Sequence, residues 1–207
     1  MGDTEKEEMI KLPAPFLKGK ISVEEAILRR CSVREYLSTP LNLKEVSQLL
    51  WSAQGITGKD SFKRASPSAG ATYPLEVYVV SGNVEGLEPG VYKYHPSTHS
   101  LEFHLKGDKR GPLALAALGQ RWVSEAAIDL IFTAVYSRTT FRYGKRGVRY
   151  VNMEVGHAAE NLSLQCVSLG LGTVMVGAFY DEKVKKVLNL PKEEEPLYIL
   201  PVGRILS

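Results

Sequence analysis

Hydrophobic residues recur along the chain in two rhythms. Helical spacing marks Val46, Leu49, Leu50 and Ala53, entered through Asn42 and Glu45, the reciprocal pair of a capping box. Ser22 with Glu25 gives the same signal for a shorter helix ending near Arg30, so two helices joined by a short loop are expected. Further helices are expected over about 110–120, over 148–169 with Gly170 to Gly172 as the stop, and over 181–188. The second half of the 148–169 helix is apolar nearly all round, which implies burial inside an assembly and makes it a candidate dimer core. Strand rhythm marks 75–80, and 90–95 with 101–105 around Pro96 and Ser97 as a hairpin. The run 127–135 is apolar nearly throughout, the pattern of a central strand covered on both faces; 174–176 and 197–202 are shorter strands. The sum is an α+β plan. Residues 1–20 begin with charge and continue through Leu12, Pro13, Ala14, Pro15 and Phe16, an arm that lies along the domain of residues 21–207.

Composition narrows the classes. A chain of 207 residues with 44% hydrophobic content suits one domain with a real core. The net charge of +3 is too small to imply nucleic-acid binding, and the aromatics near Arg138 and Arg146 lack the pattern of a base-stacking sheet. Cys31 and Cys166 stand far apart, neither a metal pair nor a disulfide framework, and read as buried or partly buried free thiols. Glu154 and His157 have di-iron spacing without the accompanying glutamates, so no metal is expected and a buried hydrogen-bonded pair is the better reading. His95 and His99 straddle a turn and read as surface residues. The acidic start leads into no apolar signal segment, and no run is long enough to span a bilayer; a cytoplasmic location is expected.

Four clusters carry chemistry. Arg29, Arg30, Cys31, Ser32, Val33 and Arg34 follow the first helix, and extended backbone would point Arg30, Ser32 and Arg34 to one side, suited to a phosphate. A solvated helix end, favoured by the dipole, explains Arg29 and Arg30 equally well. Ser66 to Pro74 is a run of small residues between two prolines, either a close approach to a flat ligand or a plain tight loop. Gly170 to Ala178 ends a helix, makes a strand and finishes on small residues, in the wrong order for a dinucleotide fingerprint. Arg204 closes the set.

In this order and spacing the chain resembles the nitroreductase superfamily. Within it, the chain is similar to the SagB-type dehydrogenases through Leu12 to Pro15, Leu49 to Trp51, Pro67 to Gly70, Tyr73 to Glu76, Gly90 to Tyr92, Tyr143 with Gly144, Arg146 with Gly147, Glu154 to His157 and Gly170 to Gly172. The resemblance implies a mixed sheet flanked by helices in an intertwined homodimer, and FMN as cofactor in the dimer interface. It implies Arg30, Ser32, Arg34 and Arg204 at the phosphate and ribityl chain, with Cys31 beside them. Pro67, Ser68, Ala69 and Gly70 would reach the ring system from the partner subunit. Gly177 would present its N–H to flavin N5, with Val176 and Ala178 alongside. The activity implied is hydride transfer between NAD(P)H or an organic donor and an organic acceptor. The alternative is a flavin-binding subunit of a peptide-modifying, azoline-oxidising complex with little activity alone. Azoline-oxidising members place a Lys-Tyr pair near Arg142 and Tyr143. Arginine stays protonated, so Tyr143 would act alone as the catalytic side chain or the substrate differs. Ala71 replaces a common Asn, and Glu160 a common Gln.

Overall fold

The structure is a computed structural model that describes residues 9–58 and 63–206. Seven strands form one sheet, in the order β1 (Met9–Lys11), β6 (Ser100–Lys106), β5 (Gly90–His95), β3 (Leu75–Ser81), β7 (Ile128–Ala134), β9 (Glu195–Arg204) and β8 (Leu171–Thr173). Every pairing in it is antiparallel. The parallel pairing of the fold is separate, between β2 (Leu41–Asn42) and β4 (Val84–Glu85).

β7 is buried at every position, and the packing says why. One face, with Ile128, Leu130 and Phe132, meets α2 (Leu43–Gln54) and α6 (Arg146–Leu169). The other, with Ile131 among Tyr78, Val80 and Ile199, meets α3 (Arg110–Ala116), α4 (Arg121–Glu125) and α7 (Asp181–Leu188). A strand covered twice has no polar side to show, hence the near-continuous apolar run. Two polar residues interrupt it: Thr133 donates to Glu194, whereas Asp129 is fully buried, its carboxylate oxygens have no hydrogen-bond partner among the described residues, and burial pushes its pKa well up.

The helices start and stop where local chemistry directs. Asn42 and Glu45 complete the capping box of α2, and Gly170 closes α6 in the left-handed region at φ 68°. Ser22 accepts from the Glu25 N–H to open α1 (Val23–Arg29). The loop after α1 is longer than expected, because residues 31–40 are tied to the end of the sheet: Val33 N–H bonds Thr173 O and Leu37 N–H bonds Arg204 O. The small strand expected over 174–176 is displaced to β8. Val174 and Val176 are instead buried by side-chain packing, with Val176 bridging Ile199.

The arm lies along the sheet as an added strand. Beyond β1, Leu12 is buried in the core, and Gln48 bonds both N–H and C=O of Phe16. His99 is no surface residue: its ring contacts Ser47 Oγ at 2.7 Å, Pro13 O at 3.0 Å and Tyr94 Oη at 2.9 Å, and burial lowers its pKa. It pins the arm to α2, a task its sequence neighbours do not advertise.

Candidate functional site

The segment after α1 runs past a cavity. Arg29, Cys31 and Val33 line a cavity of about 280 Å³ together with Cys166, Thr173 and Ile205, and Arg30, Ser32 and Arg34 are absent from that lining. Cys31 is exposed and Cys166 buried, both free, with burial pushing the Cys166 thiol up. Tyr36 locks the segment in place by donating to Val33 O and Pro201 O. The arginines face different partners: Arg30 lies 3.7 Å from Glu160, and Arg34 stacks over Trp122. Arg204 donates to Pro40 O at 3.1 Å and to Glu45 at 3.0 Å, which leaves its Nη1 group for another acceptor. Glu160, the departure noted in the sequence, thus sits against the predicted phosphate arginine.

The turn from Ser66 to Pro74 is built under strain. Gly70, Ala71 and Tyr73 have φ of 60°, 52° and 44°, and a left-handed conformation costs an alanine or tyrosine roughly 1–2 kcal/mol. The surroundings hold it there. Ser68 Oγ accepts from the Tyr73 N–H, Ser66 Oγ donates to Ala53 O, and Asn161 of α6 donates to Ala65 O. From α5 (Ser137–Tyr143), Arg138 donates to Tyr73 O, Arg142 to Gly70 O, and Thr139 shares a bond with Thr72. The Tyr143 hydroxyl is so close that a Cβ on Gly70 would lie 2.5 Å from it. Predicted cofactor turn and predicted catalytic tyrosine therefore form one unit, with Pro67 and Gly70 exposed at its apex.

Beneath the turn lies Glu154, 2% exposed, its pKa raised to about 7 by burial against the opposing pull of the Ser68 hydroxyl and Arg64. Neither of its oxygens completes a hydrogen bond of good geometry among the described residues. The expected buried pair with His157 is not formed, because His157 faces outward, one turn away. Arg64 stacks on the Tyr73 ring at 4.3 Å and donates to Gln54. Sequence reasoning missed Arg64 and Arg138; it expected Glu154 to be buried, as it is. Only the i, i+3 pair on α6 drew notice, and it pointed to the wrong partner.

At the third cluster, Gly172 is packed too tightly for a side chain, against Val33 and Ile205. Val176 exchanges both backbone bonds with Ile199, then Gly177 and Ala178 emerge exposed. Gln120 holds Ala178 O at 2.8 Å, and no described residue accepts the Gly177 N–H. Among the described residues no group of three or more His, Cys, Asp or Glu is placed to hold a metal, and no helix is long and apolar enough to cross a membrane.

The fold that carries this strained turn recurs in known proteins. The sequence profile of the nitroreductase family matches residues 27–204, and the chain belongs to that family. A candidate nitroreductase of Methanocaldococcus jannaschii is 50% identical over 204 residues, covering 99% of this chain and 98% of that protein. The microcin B17-processing protein McbC of Escherichia coli is 28% identical over 155 residues, covering 72% of this chain and 57% of McbC. A candidate nitroreductase structure from Ralstonia eutropha superposes with a TM-score of 0.83 at 31% identity, covering 100% and 93% of the two chains.

Proposed function

We propose that the protein is an FMN-dependent oxidoreductase of SagB-type character, active as a homodimer. The carrying observation is the 66–74 turn: backbone strain at two non-glycine residues, enforced by bonds from α5 and α6, persists where a ligand site requires it. The chain's own residues fit the cofactor. A Gly177 N–H with no acceptor among the described residues suits a flavin ring edge, and Arg30, Ser32, Arg34 and Arg204 bring the donors a phosphate needs. FMN would supply the two-electron chemistry, passed between NAD(P)H or an organic donor and an organic acceptor. Arg30, Ser32, Arg34 and the Nη1 end of Arg204 would hold the phosphate of one site, with Cys31 beside them. Pro67, Ser68, Ala69 and Gly70 of the other copy would cover the ring face and keep water from it, while Val176 and Ala178 frame the Gly177 N–H. Tyr143, held against Gly70, would place its hydroxyl over the reacting partner as proton donor or acceptor.

The relationship to McbC favours a second reading, a flavin-binding subunit of a peptide-modifying complex. The two separate in one experiment. Purified protein should be yellow and dimeric, and should oxidise NADH or NADPH with a quinone or nitroaromatic acceptor. Bound flavin without such turnover would favour the subunit, and a colourless monomer that takes up no added FMN would reject both.

A further inference from the structure

Between Asp129 and Glu154 the chain carries five basic residues and no acidic one. Among the described residues Arg138 alone of the five reaches a carboxylate, Glu76 at 2.6 Å. Arg142 donates to Gly70 O and Arg146 to the Tyr150 hydroxyl, while Lys145 and Arg149 are exposed. The start of α6 has no acidic residue in its first turn and no side-chain cap, so Lys145 and Arg146 stand where the helix dipole is already positive. That placement costs stability, so helix energetics does not account for the run. Flat rings are interleaved with the charges: Phe141 is 96% exposed, and Tyr143 and Tyr150 pack edge to face at 5.2 Å. Arg142 and Tyr143 touch Gly70, so the collar begins at the strained turn.

Resting on the function proposed above, we infer that this collar selects a phosphorylated dinucleotide, NADPH over NADH, as hydride donor. Arg142, Lys145, Arg146 and Arg149 take the additional 2′-phosphate and the pyrophosphate, and Phe141 offers a face to the adenine. Arginine suits phosphate through its bidentate fork, and rings beside cations suit a purine. An acidic peptide would satisfy the charges but would leave the rings without a flat partner.

The test is calorimetric titration of the flavin-loaded homodimer with NADP⁺ and NAD⁺, which bind without turnover. NADP⁺ should bind about tenfold more tightly at low salt, the scale of two solvent-exposed ion pairs together, and the margin should shrink as salt is added. The margin should vanish in the Arg146→Gln/Arg149→Gln double variant, fall partway in each single variant, and persist in Lys186→Gln on the opposite face of the sheet. Equal affinities, or a margin that survives the double variant with flavin content unchanged, overturn the inference. So does an oligoglutamate peptide that binds more tightly than NADP⁺. A flavin-bearing protein with equal affinities rejects the collar alone; a protein that takes up no flavin rejects the underlying function as well.

Discussion

Arg30 and Arg204 share one proposed role in unlike settings, and the difference makes them separable. Arg30 meets Glu160 at 3.7 Å on a half-exposed surface, a pair of small worth to the fold. Arg204 closes on Glu45, which also caps α2 through the Asn42 N–H. Arg30→Ala should therefore release FMN, with a loss of about 1.5–3 kcal/mol of binding, and leave the flavin-free melting temperature unmoved. Arg204→Ala should release FMN and also lower that temperature, by the equivalent of about 1 kcal/mol. Fluorescence titration with FMN and thermal melts of the stripped protein measure both; unaltered flavin affinity in the two variants would remove the phosphate assignment. Glu154 gives a pH signature. Its folded pKa of about 7 exceeds the ordinary 4.5 because burial penalises the charge. Across that window the unfolded chain ionises the group while the folded one keeps the proton, so stability falls as pH rises from 4.5 to about 7. Glu154→Gln removes this loss, and its melting advantage over the parent should grow steadily from pH 4.5 to 7. Parallel melting curves would show that Glu154 ionises as freely in the fold as outside it. The partners of these residues were not legible in the sequence. Spacing can bring Arg30, Ser32 and Arg34 to one side, but which carboxylate each guanidinium meets is decided by elements far off in the chain.

Elements were legible in proportion to length and to how completely packing followed pattern. α2, α6 and α7, the β5–β6 hairpin and β7 are all foreshadowed by periodicity, caps or near-continuous apolar runs. α4 and α5 are short and carry no side-chain cap, and β2 and β4 are two residues each, so no sequence rhythm could announce them. The arm shows the limit most plainly. Charge and prolines argue against a packed element, yet Pro13 and Pro15 fall just after the paired residues, where no ladder N–H is needed, and Leu12 fills the core. Leu12→Ala should cost about 2–5 kcal/mol, as large-to-small core changes do, and urea unfolding would report it as a lower midpoint at unchanged slope. A cost below about 0.5 kcal/mol, the range of ordinary surface substitutions, would mean that the arm is dispensable to the core.

The single chain leaves its longest helix half dressed. One face of α6 is buried through Val151, Val155, Ala158, Leu162 and Cys166, while the opposite stripe of Met153, Gly156, His157 and Glu160 faces outward. Gly156 is the informative member. A mid-helix glycine costs about 1 kcal/mol relative to alanine, and a Cβ there would meet nothing within 4 Å of this chain. Its smallness serves no contact inside the molecule, which fits a close approach by a second copy. On the function proposed above, the Arg30 segment of one chain and the Pro67–Gly70 apex of the other share one cofactor, so neither site is complete in a monomer. Gly156→Phe should accordingly leave a folded chain, since the space is open, but one that elutes as a monomer and carries no flavin. Gly156→Ala should stay dimeric and yellow, with a modest gain in melting temperature from helix propensity. Light scattering coupled to gel filtration, read with the flavin absorbance of each peak, decides the matter. A Gly156→Phe protein that remains a yellow dimer would move the interface off this helix and, with it, the origin of the second half of the cofactor site.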